Sequence, residues 1–137
     1  MSTKAARRVL IVDDDESSRL VLGRIVRKAG YLAAVVSNAR EAIPQINATA
    51  PHIIFADVHT PDAAGFELIN WLRWRNSSIS LIAMSGANKC ITDQLGLAAR
   101  LGSDATIAKP FLEQDVLKAI EAAVNNRNPT WPGQRWS

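Results

Sequence analysis

Acidic, hydroxyl and basic side chains stand at the ends of four short apolar runs in this sequence. The runs and their polar ends are VLIV at residues 9–12 before Asp13, Asp14, Asp15 and Glu16, HIIFAD at 52–57 ending in Asp57, ISLIAM at 79–84 before Ser85, and DATIA at 104–108 before Lys109. Four neighbouring negative charges repel one another, and an apolar run gains nothing in packing from a lone terminal carboxylate. The pattern therefore indicates a site with its own chemistry.

The chemistry that these residue types support is phosphoryl transfer to a carboxylate. Carboxylates that share a pocket raise one another's pKa unless a cation lies among them, and oxygen ligands of this kind suit Mg²⁺ or Mn²⁺. A carboxylate can also attack phosphorus and form an aspartyl phosphate. The ammonium group of Lys109 and the hydroxyl of Ser85 would then stabilise the oxygens of the transferred group.

The spacing of apolar residues predicts the elements that position these groups. Buried strands are expected at residues 9–13, 33–36, 52–57, 79–84 and 104–108. Helices are expected between Asp15 and Gly30, where Leu22, Ile25, Val26 and Ala29 share one face, and at residues 38–47, 65–75, 89–101 and 112–125, the last with Leu117, Ile120 and Val124 on one face. The alternation predicts an α/β fold, a (βα)5 unit with a doubly wound, five-stranded parallel sheet.

Ligands of open α/β sheets bind beyond the edge where the carboxyl ends of the strands meet. Asp13 is expected to end the first strand and Asp57 the third, while Ser85 follows the fourth strand and Lys109 the fifth. The topology would therefore bring carboxylates, a hydroxyl and an ammonium group together. Asp15, or one of the two residues after it, is expected to cap the first helix instead.

Four short motifs, taken together and in order, resemble the receiver domain of bacterial two-component response regulators. They are VDDD at residues 12–15, DVHTPDAAG at 57–65, MSG at 84–86 and KPF at 109–111. The resemblance covers residues 9 to about 124. It implies a CheY-like, flavodoxin-like fold with strand order 2-1-3-4-5.

The resemblance also implies an acceptor and a metal site. Asp57 would accept a phosphoryl group from a histidine kinase or a histidine phosphotransfer protein. Asp13 and Asp14 would bind Mg²⁺ or Mn²⁺ together with Asp57, and the backbone carbonyl of His59 would complete the metal site.

Two further positions match the family and one departs from it. Ser85 would be the switch hydroxyl, and Lys109 the lysine that contacts the phosphoryl group, joined to Pro110 by a cis peptide bond. Thr106 stands where the family usually carries Tyr or Phe. Because that ring normally moves with the switch hydroxyl, Thr106 predicts a weaker response at this surface.

Alternatives to a phosphoacceptor follow from the same residues. A phosphohydrolase of the haloacid dehalogenase type needs a second Asp where this chain has His59. A flavodoxin-like cofactor binder needs a phosphate loop after the first strand, where DDDES would repel a phosphate. A degenerate receiver that serves only as a protein interaction module stays open because of Thr106. The favoured interpretation is a signalling phosphoprotein of a two-component phosphorelay, not an enzyme.

Length and composition narrow the class of protein further. The chain has 137 residues, 47% of them hydrophobic, and a net charge of +3. We expect one receiver domain at residues 9–124, a flexible N-terminus at 1–8 and an irregular tail at 125–137. The apolar runs are too short to span a membrane, and the basic residues, Arg19 among them, accompany no DNA-binding motif. We therefore expect a cytoplasmic protein that binds neither membrane nor nucleic acid directly.

Two tryptophans of the third predicted helix point away from its apolar face. Trp71 and Trp74 fall on the side opposite Phe66, Ile69 and Leu72. They predict either an exposed aromatic patch for a partner or partial packing against the neighbouring helix.

Overall fold

Strands and helices alternate in the computed structural model, which describes residues 7–58, 64–75, 77–86, 96, 98, 99 and 102–127. The elements are β1 (Arg8–Val12), α1 (Glu16–Lys28), β2 (Leu32–Val36), α2 (Ala39–Thr49), β3 (Ile53–Asp57), α3 (Ala64–Trp74), β4 (Ser80–Ser85), β5 (Ala105–Ala108) and α4 (Glu113–Arg127). The helix predicted at residues 89–101 lies almost entirely outside the described residues. Among the helices described, none is both long and apolar enough to cross a bilayer.

The five strands form one parallel sheet in the order β2-β1-β3-β4-β5. This confirms the predicted fold class and strand order. Every residue of β3 and β4 is buried, because helices cover both faces of a parallel sheet and leave the central strands no contact with water.

Two apolar cores form, one on each face of the sheet. On one face α2 and α3 pack on the sheet through residues such as Ile46 and Leu72. On the other face α1 and α4 contribute Leu22 and Ile120. Successive strand residues point to opposite faces, so neighbouring residues of β3 belong to different cores.

The capping signals in the sequence form as predicted at α1. The carboxylate of Asp15 accepts a hydrogen bond from the Ser18 backbone N–H at 3.0 Å, which confirms Asp15 as the N-cap. Arg27 and Lys28 occupy the last turn, where positive charge interacts favourably with the helix dipole. Gly30 follows with a φ of 103°, a conformation that favours glycine after a helix end.

Several boundaries differ from the predicted ones. Asp13 follows β1 instead of ending it, and Ser85 is the last residue of β4 instead of the first residue after it. The final helix continues to Arg127, beyond the predicted end of the domain. On the face predicted to carry Leu117, Ile120 and Val124, the last two are buried, whereas Leu117 is 37% exposed. Val116 is buried in this turn of the helix instead.

The two tryptophans of α3 have different surroundings. Trp71 packs against the core formed with α2, and the Arg75 guanidinium carbon lies 4.6 Å from the centroid of its ring. Trp74 is 85% exposed. Trp71 therefore packs partly against the neighbouring helix, and Trp74 is exposed. A partner that binds Trp74 stays a prediction.

Candidate functional site

The polar residues at the strand ends converge on the carboxyl edge of the sheet. Asp57 is the last residue of β3 and pairs in register with Met84 of β4. The Val58 N–H donates to the Met84 carbonyl at 2.8 Å, and the Asp13 N–H donates to the Val36 carbonyl at 3.1 Å. These bonds continue the strand pairing past β1 and β3 and fix the backbone at both carboxylates.

Lys109 joins two of the predicted site residues. Its Nζ donates to Asp13 Oδ2 at 2.6 Å and to Asp57 Oδ2 at 3.2 Å. The Lys109 side chain is 16% exposed and that of Asp57 is 5% exposed, so both pairs are shielded from water. The Lys109 N–H donates to the Ser85 carbonyl at 2.8 Å. The Lys109–Pro110 peptide bond is cis, as the family resemblance implied.

The charges of Asp13 and Lys109 lie in a partly desolvated pocket. Burial raises the pKa of Asp13, and hydrogen bonds from Lys109 and from the Asp15 N–H oppose this shift without cancelling it. Burial alone would lower the pKa of Lys109, but the hydrogen bond to Asp13 and the charge of Asp57 outweigh it and raise the pKa. Lys109 therefore stays an ammonium ion at neutral pH, and one such cation does not balance the acidic cluster.

Hydrogen bonds to the main chain fix the loop that carries the acidic residues. Asp13 Oδ1 accepts from the Asp15 N–H at 2.9 Å. The main-chain carbonyl of Asp13 accepts from Arg19 Nη1 at 2.8 Å. Sequence reasoning assigned Arg19 no role at this site and grouped it with basic residues that accompany no DNA-binding motif. Its position in the first turn after the acidic run was the available signal, but helical periodicity does not show which way a long side chain bends.

Three carboxylates could hold a divalent cation. Asp13, Asp14 and Asp57 each offer one oxygen, and these oxygens lie within 4.8 Å of one another. Asp13 and Asp57 are buried while Asp14 is exposed, so the cluster is open on the Asp14 side. An all-oxygen donor set fits Mg²⁺ or Mn²⁺. His59, whose carbonyl was predicted to complete the site, lies outside the described residues.

An open cleft of about 500 Å³ lies against the acidic cluster. Its polar wall includes Asp14, Asp57 and Lys109, and its apolar wall includes Val21, Pro110 and Phe111. Asp57 therefore lines an open space that another molecule can enter.

Ser85 and Thr106 lie on the neighbouring strands β4 and β5. Ser85 is buried, and its hydroxyl donates to the Gly86 carbonyl at 3.5 Å. Thr106 is exposed and pairs in register with Ala83. The structure thus brings Asp13, Asp14, Asp57, Ser85 and Lys109 to one edge of the sheet, and it leaves Thr106 on the solvent side of β5.

Curated proteins similar to this chain are response regulators. Sensory transduction protein RegX3 of Mycobacterium tuberculosis (strain ATCC 25618 / H37Rv) is 30% identical over 116 residues, which cover 85% of this chain and 50% of RegX3. DNA-binding response regulator MtrA of Mycobacterium leprae (strain TN) is 26% identical over 131 residues, which cover 96% of this chain and 56% of MtrA. The chain therefore spans about half the length of these relatives.

Solved structures with the same fold include isolated receiver domains. The response regulator receiver domain protein (CheY-like) from Methanospirillum hungatei JF-1 is 24% identical, with a TM-score of 0.78 over 92% of this chain and 99% of that one. NtrX from Brucella abortus is 23% identical, with a TM-score of 0.82 over 90% of this chain and 28% of NtrX. The sequence model of the family described as Response regulator receiver domain matches residues 9–121. This chain therefore belongs to the response regulator receiver domain family.

Proposed function

We propose that Asp57 accepts a phosphoryl group from the phosphohistidine of a histidine kinase or histidine phosphotransfer protein, with Mg²⁺ or Mn²⁺ held by Asp13, Asp14 and Asp57. The observation that carries this proposal is the contact of Lys109 Nζ with both buried carboxylates at the edge of the sheet. This lysine contacts two carboxylates and lies beside a third carboxylate and an open cleft. Its positive charge suits a phosphoryl group, which carries several negative oxygens.

The proposed transfer is a displacement at phosphorus. A carboxylate oxygen of Asp57 forms a bond to phosphorus while the P–N bond of the phosphohistidine breaks. The bonding electron pair stays on the imidazole nitrogen, which takes up a proton. The products are an aspartyl phosphate and a neutral histidine on the partner.

The surrounding residues have separate roles in this proposal. Lys109 supplies positive charge, because its Nζ already lies 3.2 Å from the acceptor carboxylate. The Ser85 hydroxyl, at the end of the neighbouring strand, would donate a hydrogen bond to a phosphoryl oxygen. When bound, the divalent cation supplies further positive charge for the transferred oxygens. Asp13, Asp14 and Asp57 would hold that cation, and the carbonyl of His59 would be an additional ligand.

The proposal extends to the setting of the domain. MtrA is named a DNA-binding response regulator, and this chain matches only about half of its length. We propose that residues 9–124 act as a cytoplasmic receiver unit that contacts neither nucleic acid nor membrane directly and passes its state to a downstream protein or domain. In this role the chain is a phosphoprotein and not an enzyme with a separate substrate to turn over.

Intact-mass measurement tests the acceptor without knowledge of the kinase. The full chain is incubated with Mg²⁺ and acetyl phosphate, and we expect a gain of one phosphoryl group that chelation of the metal prevents. Asp57→Asn should abolish the gain. Asp15→Asn is the matched control, because it removes a nearby charge while Asn still caps a helix well.

Two outcomes would contradict the proposal. Labelling of Asp57→Asn at the wild-type level would show that another residue is the acceptor. A wild-type chain that gains no mass with either Mg²⁺ or Mn²⁺ would favour the alternative of a receiver that serves only as a protein interaction module.

A further inference from the structure

Arg19 connects the first helix to the end of the first strand. Its Nη1 donates to the main-chain carbonyl of Asp13 at 2.8 Å, while its backbone N–H donates to the Asp15 carbonyl at 3.1 Å within the first turn of α1. The two bonds reach residues on either side of Asp14. Arg19 therefore contacts the acidic loop on both sides of Asp14, once through its side chain and once through its backbone.

The carbonyl that Arg19 binds belongs to the peptide unit between Asp13 and Asp14. A peptide unit is planar, so a bond that restrains its carbonyl oxygen also restrains the nitrogen and Cα of Asp14. The Asp13 carboxylate is already held by Lys109 and by the Asp15 N–H. The bond from Arg19 thus restrains the backbone that carries the exposed Asp14 carboxylate, next to an Asp13 carboxylate that is already held.

The guanidinium group of Arg19 holds the loop through the main-chain carbonyl of Asp13 and not through a carboxylate oxygen. Lys109, by contrast, binds Oδ2 of both Asp13 and Asp57. A cation that enters the cluster needs free carboxylate oxygens. The bond from Arg19 holds the loop and leaves the carboxylate oxygens available to the metal.

We propose that Arg19 is a positioning residue for metal binding, which orients the peptide between Asp13 and Asp14 so that both carboxylates face one cation. The inference rests on the function proposed for the same site. Contacts that orient metal ligands commonly account for roughly 10- to 100-fold in metal affinity. A purely structural role would lower the stability of the domain and leave the metal affinity of the folded protein unchanged.

Calorimetric titration of the full chain with Mg²⁺, in the absence of any phosphodonor, tests the inference. Arg19→Met should weaken Mg²⁺ binding by on the order of tenfold. Arg27→Met is the matched control, because Arg27 lies on the same helix and its Nη2 also donates to a main-chain carbonyl, that of Ala33 at 3.2 Å, away from the acidic loop. Its Mg²⁺ affinity should equal that of the wild type.

A conservative variant keeps the test decisive if Arg19→Met does not fold. Arg19→Lys retains the charge on a shorter donor. Its Mg²⁺ affinity should lie between those of Arg19→Met and the wild type. If Arg19→Met does not fold, the affinity of Arg19→Lys should still be lower than that of the wild type. Folding of each variant is checked by thermal unfolding in chelator.

The outcomes separate this inference from the proposed function. If the wild type binds Mg²⁺ and folded Arg19→Met or Arg19→Lys binds it with the same affinity, the positioning role alone is overturned. A wild-type chain that binds no Mg²⁺ overturns the metal site itself, and the role of Arg19 with it.

Discussion

Lys109 Nζ lies closer to Asp13 Oδ2, at 2.6 Å, than to Asp57 Oδ2, at 3.2 Å. The lysine proposed to contact the phosphoryl group is therefore already engaged, and more tightly by the acidic loop than by the acceptor. Transfer of a phosphoryl group to Asp57 would draw the ammonium group toward new oxygens. The ammonium group of Lys109 thus stabilises the metal-free domain and also serves the proposed chemistry of the site.

Replacement of Lys109 by Met should lower the free energy of unfolding in chelator, because Asp13 and Asp57 would lose their cation in a shielded pocket. We expect a loss of roughly 1–3 kcal/mol, part of which saturating Mg²⁺ should recover. Urea unfolding with and without Mg²⁺ measures both effects. Lys118→Met, an exposed change on α4, should have little effect, and equal stability of the two variants would mean that the ion pairs contribute nothing.

The two acidic neighbours should respond differently to removal of their charge. Asp13→Asn loses the ion pair with Lys109 but also removes a charge that burial disfavours, so stability in chelator should rise. Asp14 is exposed, so Asp14→Asn should leave that stability unchanged or slightly higher, since repulsion falls. Both should weaken Mg²⁺ binding. Thermal unfolding in chelator and calorimetric titration would reveal the difference, and unchanged Mg²⁺ affinity in both variants would argue against the metal site.

His52 should make the stability of the domain depend on pH. Its Nδ1 accepts the Arg8 N–H at 3.0 Å, and burial, with the charges of Arg8 and Arg7, lowers the pKa of His52. The unfolded chain therefore binds the proton more readily. The contribution of neutral His52 to the stability of the domain should be fully present above the usual histidine pKa of about 6.5. It should be lost as the pH falls from there through the lower pKa that His52 has in the folded state.

Urea unfolding across this pH range measures the effect of His52. Asn is the matched replacement, because its side-chain oxygen can accept the same N–H without titrating. His52→Asn should flatten the profile between about pH 7 and about pH 5. A wild-type profile that matches that of His52→Asn would assign the pH dependence to other groups.

Thr106 should limit how far a phosphoryl signal spreads. A new bond from Ser85 would move the end of β4, but Thr106 offers little apolar area to bury in response. Backbone amide shifts with and without beryllofluoride should change most near Asp57 and Ser85, and less along residues 102–108. Thr106→Tyr should enlarge the change along 102–108. If the wild type already changes most there, another residue performs the coupling.

The sequence was sufficient for the fold and for the residues at the strand ends. Runs of apolar residues specify buried parallel strands, and a parallel sheet has only one carboxyl edge, so Asp57 and Lys109 had to approach each other. Capping by Asp15 was equally predictable, because it depends on neighbours three residues away. Periodicity does not determine where a strand ends, and for this reason Asp13 and Ser85 each differ by one position.

Contacts between distant residues were beyond sequence reasoning. Arg73 Nη2 lies 3.4 Å from Asp104 Oδ2, and the same oxygen accepts the Leu81 N–H at 2.8 Å. Periodicity gives no reason to pair an arginine of α3 with an aspartate before β5. Gly102 directly follows the helix predicted at residues 89–101, and a Cβ at this position would collide with the Arg73 side chain. Such requirements become visible only when packing is known.

The last helix leaves the domain far from the acceptor. Asn126 Nδ2 donates to Asp104 Oδ1 at 3.3 Å, and Asp104 directly precedes β5, whereas Lys109 directly follows it. The four residues of β5 separate these two ends by about 13 Å of strand. The end of α4 therefore lies near the opposite edge of the sheet from Asp57. A signal that passes from Asp57 to this end through the domain itself would have to cross the length of β5.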